Sequence, residues 1–178
     1  MLRTRPCLAL ALAFAAIGLA TNVVPLGAQE SRGPTRIWGA LGLGSGAGGE
    51  VEDPGATFMI QLAWQRRPHQ ASLRSVLTFD GGSPDGGGGS LSEVALLYGR
   101  MRSSEWGHVG IATGLAFGTF NGCPGNQERA CHFVGIPIAA EAALTARVVG
   151  IGLQGFIDLN PKSILGGVLF FIPIGWMP

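Results

Sequence analysis

The chain has 178 residues, of which 13% are charged, 47% are apolar and 30 are glycine, with a formal net charge of +1. So little charge cannot cover a soluble globule of this size, and the composition favours membrane or secretion. Without Arg3 and Arg5 the balance falls to about −1, which leaves no basic patch for nucleic acid, so polynucleotide partners are not expected.

The first 28 residues carry two arginines, then an apolar run over 6–20, then small residues. These three regions read as a secretory signal peptide. Cleavage after Ala20 or Ala28 leaves small residues at the site, and Ala28 is preferred because Gln29 and Glu30 open the polar sequence. The alternative, an uncleaved helical anchor, is short for a bilayer. Cys7 follows Arg-Pro and leaves with this segment. Residues 29–178 then form one domain of roughly 150 residues. Their longest apolar run, 164–176, contains Gly166, Gly167, Pro173 and Gly175, which break helices. In hydrocarbon the remaining way to pair every backbone N–H and C=O is a closed barrel, whose strands need about nine to eleven residues each.

Eight runs of that length follow in order. The first, 36–45, sets Ile37, Leu41 and Leu43 on one face, with glycines through both. In 57–65, Phe58, Ile60, Leu62 and Trp64 alternate with Thr57, Met59, Gln61, Ala63 and Gln65, a period of two that a helix does not give. The third, 70–80, sets Leu73, Leu77 and Phe79 against Ser72, Arg74, Thr78 and Asp80. The fourth, 91–100, sets Val94, Leu96 and Tyr98 against Glu93, Ala95, Leu97 and Gly99. In the fifth, 108–120, Val109, Ile111, Leu115 and Phe117 face one way while the other face is Gly and Ala, which suits a narrow barrel whose interior just holds its own side chains. The sixth puts Val134, Ile136, Ile138 and Leu144 outward and Pro137 inward, where a lost ladder hydrogen bond predicts a bulge or an unpaired position. The seventh sets Val149, Ile151, Leu153, Ile157 and Leu159 against Gly150, Gly152, Gln154 and Asp158, and the eighth runs through Val168, Phe170, Ile172, Ile174 and Trp176. The predicted fold is all-β, an eight-stranded antiparallel up-and-down transmembrane β-barrel. The strand number is even, as in bacterial single-chain barrels.

With the N-terminus on the periplasmic side, the outer connections are 46–56, 81–90, 121–131 and 161–163, and the inner ones 66–69, 101–107 and 146–147. Three of the four outer loops exceed every inner turn, and the outer set is acidic (Glu50, Glu52, Asp53, Asp85, Glu128) where the inner set is basic (Arg66, Arg67, Arg102, Arg147). Trp64, Tyr98 and Trp176 fall at the inner ends as an aromatic girdle, with Phe58, Phe79 and Phe117 toward the outer ends.

On these patterns the chain resembles the small eight-stranded outer-membrane proteins of the OmpA and OmpX type and the broad outer-membrane β-barrel domain family. The resemblance covers nearly all of residues 29–178 and rests on pattern, not on a signature motif. It implies residence in the outer membrane of a diderm bacterium, among outer-membrane lipid and lipopolysaccharide, with insertion by the barrel assembly machinery.

The inner face is where chemistry would reside. Parity puts Gln61, Arg74, Glu141 and Gln154 at similar depth in the lumen and allows Arg74 and Glu141 to meet across it. Such a layer plugs the barrel and fixes its packing, the preferred reading, or forms a gated polar path or small-solute site. Cys123 and Cys131 bracket NGCPGNQERAC in a compartment that permits disulfides, so a bridge that stiffens the loop is expected. A ligand-contacting loop is the alternative, and a metal held by the two cysteines with His132 lacks an evident fourth ligand.

No cofactor is implied. Some barrels of this size resemble lipid A deacylases or palmitoyltransferases, which use a His with a Ser and a carboxylate. Of His69, His108 and His132, only His132 lies at outer-leaflet level, near Asp158 or Asn160 and Ser163, and no family motif surrounds it. The expected role is therefore structural or adhesive, without catalysis, with a lipid A-modifying enzyme as the alternative. GGSPDGGGGS lacks the Gly-Lys-Ser or Gly-Lys-Thr ending of a phosphate loop and reads as a flexible outer loop. A secreted lipocalin-type barrel needs the large apolar face inward and a charged face outward, and the second face here is too small and too uncharged for either.

Overall fold

The computed structural model describes residues 35–48, 51–79, 90–123, 126–161 and 164–176, with side chains described at all of these except 51–53 and 121–129. Eight strands run through them: β1 Arg36–Gly48, β2 Val51–Arg66, β3 His69–Phe79, β4 Ser90–Ser103, β5 Gly107–Cys123, β6 Asn126–Ala146, β7 Val149–Leu159 and β8 Ile164–Gly175. Each pairs antiparallel with its neighbour in the chain, and β1 pairs with β8 to close the barrel. Closure removes every sheet edge, which is the condition for burying strands in hydrocarbon. The expected signal peptide, residues 1–28, lies outside the described residues.

Alternation decides the two faces. Ile60, Leu96, Ile151 and Phe170 are 63%, 63%, 61% and 67% exposed, while their neighbours Gln61, Ala95, Gly152 and Leu169 are buried. An apolar surface this continuous exceeds the few hundred Å² that soluble monomers expose, so it needs a lipid solvent.

The interior is less bare than the residue pattern suggests. Trp38, Met59, Leu97, Phe133, Phe156 and Phe171 are all buried there. The glycines of the inner face make room for them. Phe133 stands directly opposite Gly118, Phe156 opposite Gly167 and Phe171 opposite Gly152. A Cβ at Gly118 would fall 2.1 Å from the Phe133 ring and one at Gly152 2.5 Å from that of Phe171. Each ring lies over the glycine across from it, so the small and large inner positions are complementary between strands.

The expected irregularity at Pro137 takes the form of a gap without a bulge. The β5–β6 ladder passes from Thr113↔Ile138 to Ala116↔Gly135 with an unchanged offset, while Pro137 stays opposite Asp158 of β7. Pro173 does the same in β8: it faces Ala40 of β1, and the β7 ladder skips from Val149↔Ile174 to Gly152↔Phe171. A proline has no N–H to give the ladder, and in an antiparallel sheet the N–H and C=O of one residue point to the same neighbour, so the loss falls on one ladder and leaves the other intact.

Two expected outer loops, 46–56 and 121–131, are largely strand, because β1, β2, β5 and β6 continue past the apolar band. The ladder needs only backbone groups, so it extends through Gly-rich and polar sequence where an apolar alternation cannot be read. Register shifts at Gly46/Gly48 and Asn121/Cys123 mark these extensions. The expected loop 81–90 falls outside the described residues apart from Ser90, which opens β4. The inner connections are short, and the two-residue turn after β6 sets Arg147 at φ 56°, in the left-handed region.

Candidate functional site

Among the described residues, those expected to form one polar layer divide between two groups in the lumen. The first centres on Glu141 of β6. Its Oε2 accepts from Gln154 Nε2 at 3.0 Å and Gln61 Nε2 at 3.3 Å, and its Oε1 accepts from Gln70 Nε2 at 2.9 Å. Gln154 also donates to Gln61 Oε1 at 3.0 Å. Glu141 and Gln154 are direct cross-strand partners, and Gln61 reaches them from β2 across the barrel. His108 Nε2 lies 3.9 Å from Glu141 Oε1, with its ring 5.8 Å from that of Trp38. The cavity beside Gln61, Ser72, Leu97 and Glu141 is about 10 Å³, room for about one water.

The second group centres on Arg74 of β3. Arg74 does not meet Glu141; its Nη2 donates to Glu93 Oε1 of β4 at 2.9 Å, with both side chains fully buried. The reason is register. Glu93 is opposite Val76, one diagonal step from Arg74, within reach of a long side chain, whereas Glu141 is already held by three amides. The guanidinium also lies over the Phe156 ring at 4.8 Å from its centroid, and buried Asp158 interacts electrostatically with both Arg74 and Glu93. Thr57 and Thr78 share a hydrogen bond of 3.0 Å in the same interior.

Sequence parity places Glu93 and Asp158 on the inner face, but their pairing with Arg74 depends on register, which run boundaries leave open. Gln70 and His108 also point inward by parity, and they join Glu141 only because β3 and β5 bring them to its depth. Trp64, Tyr98 and Trp176, expected to form an aromatic girdle, are exposed. Tyr98 Oη and His69 Nδ1 are 2.8 Å apart with their rings stacked, and Trp176 N donates to Ile37 O at 3.0 Å. Cys131 is opposite Phe120 and Cys123 opposite Asn126; the side chain of Cys123 lies outside the described residues. His132 is exposed on the outer face, 3.1 Å from Thr119 Oγ1, while Asp158 is buried on the lumenal face. The histidine and that carboxylate are thus on opposite sides of the barrel wall, and Ser163 lies outside the described residues.

No family model and no curated protein matches the chain. Among solved structures it is similar to Ail, the attachment invasion locus protein of Yersinia pestis, crystallised with the heparin analogue sucrose octasulfate, with 11% identity over 81% of this chain and 99% of Ail and a TM-score of 0.60. Neisserial surface protein A is similar at 8% identity over 83% of this chain and 100% of its own, with a TM-score of 0.56. A weaker likeness, at a TM-score of 0.49, is to the outer membrane enzyme PagL, with 15% identity over 76% of this chain and 98% of PagL. The chain has the fold of the small eight-stranded outer-membrane barrels.

Proposed function

We propose that this is an exported outer-membrane β-barrel protein of a diderm bacterium, with a closed lumen and a structural or surface-interaction role without catalysis. Residues 1–28 act as the signal peptide, outer-membrane lipid and lipopolysaccharide surround the barrel, and the barrel assembly machinery inserts it. The observation that carries the reading is the inversion of faces: large apolar side chains ring the outside while charged Arg74, Glu93, Glu141 and Asp158 are inside. A lipocalin-type barrel requires the reverse. A surface-interaction role is supported by the long β5–β6 hairpin, whose strands of 17 and 21 residues are the longest of the eight. The tie between its ends is a Cys123–Cys131 disulfide, which stiffens the hairpin tip; exported protein should take up no thiol reagent until reduced.

The experiment is migration of the refolded chain on a gel, unheated and heated, with far-UV circular dichroism on the same sample. A heat-shifted band with a β spectrum is expected, as is accumulation in the outer-membrane fraction. A β protein that stays soluble without detergent would overturn the membrane reading. Release of fatty acid from lipid A by the refolded barrel would overturn the non-catalytic part alone.

A further inference from the structure

The end of the barrel that carries the β2–β3, β4–β5 and β6–β7 turns is two-sided. On one side it presents Trp106, Val148, Trp176 and Ile37, all exposed and linked by hydrogen bonds from Thr145 N to Trp106 O, Gly175 N to Val148 O and Trp176 N to Ile37 O. On the other, register sets the outward residues of β2, β3 and β4 in three rows. Leu62, Leu73 and Leu96 are cross-strand partners, then Trp64, Ala71 and Tyr98, then, nearest the β2–β3 turn, Arg66, His69 and Arg100. All are exposed except the half-buried Ala71, and successive rows lie roughly 7 Å apart along the strands. The order is apolar, aromatic, cationic. No Asp or Glu occurs in 61–74 or 95–104, and among the described residues neither Arg66 nor Arg100 forms an ion pair. Tyr98 fixes the middle of the cationic row: its ring stacks on His69 and its Oη lies 2.8 Å from Nδ1, which leaves Nε2 for a ligand.

We propose that this face is a seat for one anionic glycerophospholipid of the periplasmic leaflet, its phosphate held between Arg66 and Arg100 over His69. This rests on the membrane reading above. Arg66 and Arg100 stand on either side of β3, about 10 Å apart by strand spacing, a span that two arginine side chains close onto a single phosphate. The glycerol region fits over Ala71, whose small side chain opens a gap between Trp64 and Tyr98, and an acyl chain follows Leu73 between Leu62 and Leu96. Charge selects the head group. A zwitterionic phosphatidylethanolamine brings its ammonium to a row with no carboxylate to receive it, whereas an anionic head gives each guanidinium an oxygen. The opposite side of the same end gives the bilayer rings and aliphatic groups instead, so the cationic row marks one place on the wall.

The test titrates the whole refolded chain in detergent with phosphatidylglycerol and, separately, with phosphatidylethanolamine of the same acyl chains, and counts retained lipids by native mass spectrometry. The heat shift on a gel reports barrel formation for every variant. One retained phosphatidylglycerol per barrel is expected, in preference to phosphatidylethanolamine. Arg66→Gln and Arg100→Gln should each lower its retention by about fivefold and the two together by about thirtyfold, the effect of one or two cations at an anionic lipid surface. Arg147→Gln removes the same charge from the β6–β7 turn and should leave retention unchanged, which separates a seat from net charge. Equal retention by the double variant and the unaltered protein, in barrels that show the heat shift, would overturn the seat, as would equal retention of phosphatidylethanolamine or an equal loss in Arg147→Gln. Displacement of the lipid by inorganic phosphate at the same concentration would overturn the lipid as occupant. Where the double variant shows no heat shift, the two single changes carry the same comparison. An unaltered chain that shows no heat shift would overturn the membrane reading instead.

Discussion

Arg74 is the residue whose removal should be most revealing. Its charge is held by Glu93 at 2.9 Å and by the face of Phe156, with no exposure to solvent. Truncating one member of such a pair leaves the other charge buried and unpaired, at a cost of about 3–5 kcal/mol. Arg74→Met should lose that much in denaturant unfolding from lipid vesicles, while Arg74→Met with Glu93→Leu should lose less than the two single changes together. Strict additivity would mean that the two side chains do not act as a pair. Glu141 poses the converse case, since it is an acceptor for three amides. Glu141→Leu strands those donors at roughly 1–3 kcal/mol each, and Glu141→Gln, which keeps an acceptor oxygen, should retain much of that stability in the same measurement. Parity placed these residues inside. Which of them meet was not legible, because contact across a lumen depends on strand register and on the reach of each side chain.

At the level of the strand, β7 offers the cleanest contrast between faces. Leu153 is outward and half-exposed, and the adjacent Gln154 is buried against Glu141. Leu153→Arg should cost about 2–4 kcal/mol near the bilayer middle, whereas Gln154→Arg brings a cation to a carboxylate and should cost less. Equal losses for the two would mean that the faces are assigned the wrong way round. The alternation that separates them was readable directly, since a period of two needs no partner strand to interpret. The packing of the inner face was not. Gly118 and Gly152 read as bare positions, yet the Phe133 and Phe171 rings occupy their space from the strands opposite. Gly118→Ala should therefore cost about 1–3 kcal/mol through overpacking, with the heat-shifted band appearing at lower denaturant resistance. The ends of β2, β5 and β6 were likewise hidden, because beyond the apolar band a strand is specified by its ladder and not by its side chains.

For the molecule as a whole, closure has two meanings that need separate tests. The sheet closes through β1 and β8, and the lumen closes through what fills it. Glu141 with its amides forms one polar layer and Arg74 with Glu93 another, while Leu97, Phe156, Leu169 and Phe171 belong to the buried apolar packing. An ion crossing this interior would have to displace packed rings and leave buried hydrogen bonds unmade, each at a cost of about 1–3 kcal/mol. The unaltered protein in a planar bilayer should therefore show no steady conductance. Single truncations should not open it, because the remaining layers still block the path. Trp38→Ala, Phe156→Ala and Phe171→Ala combined remove bulk from several depths at once, and a combined variant that keeps its heat shift should conduct. Steady current through the unaltered barrel would show instead that the polar layers move aside, and Glu141 with its three amides would then become the gate to examine.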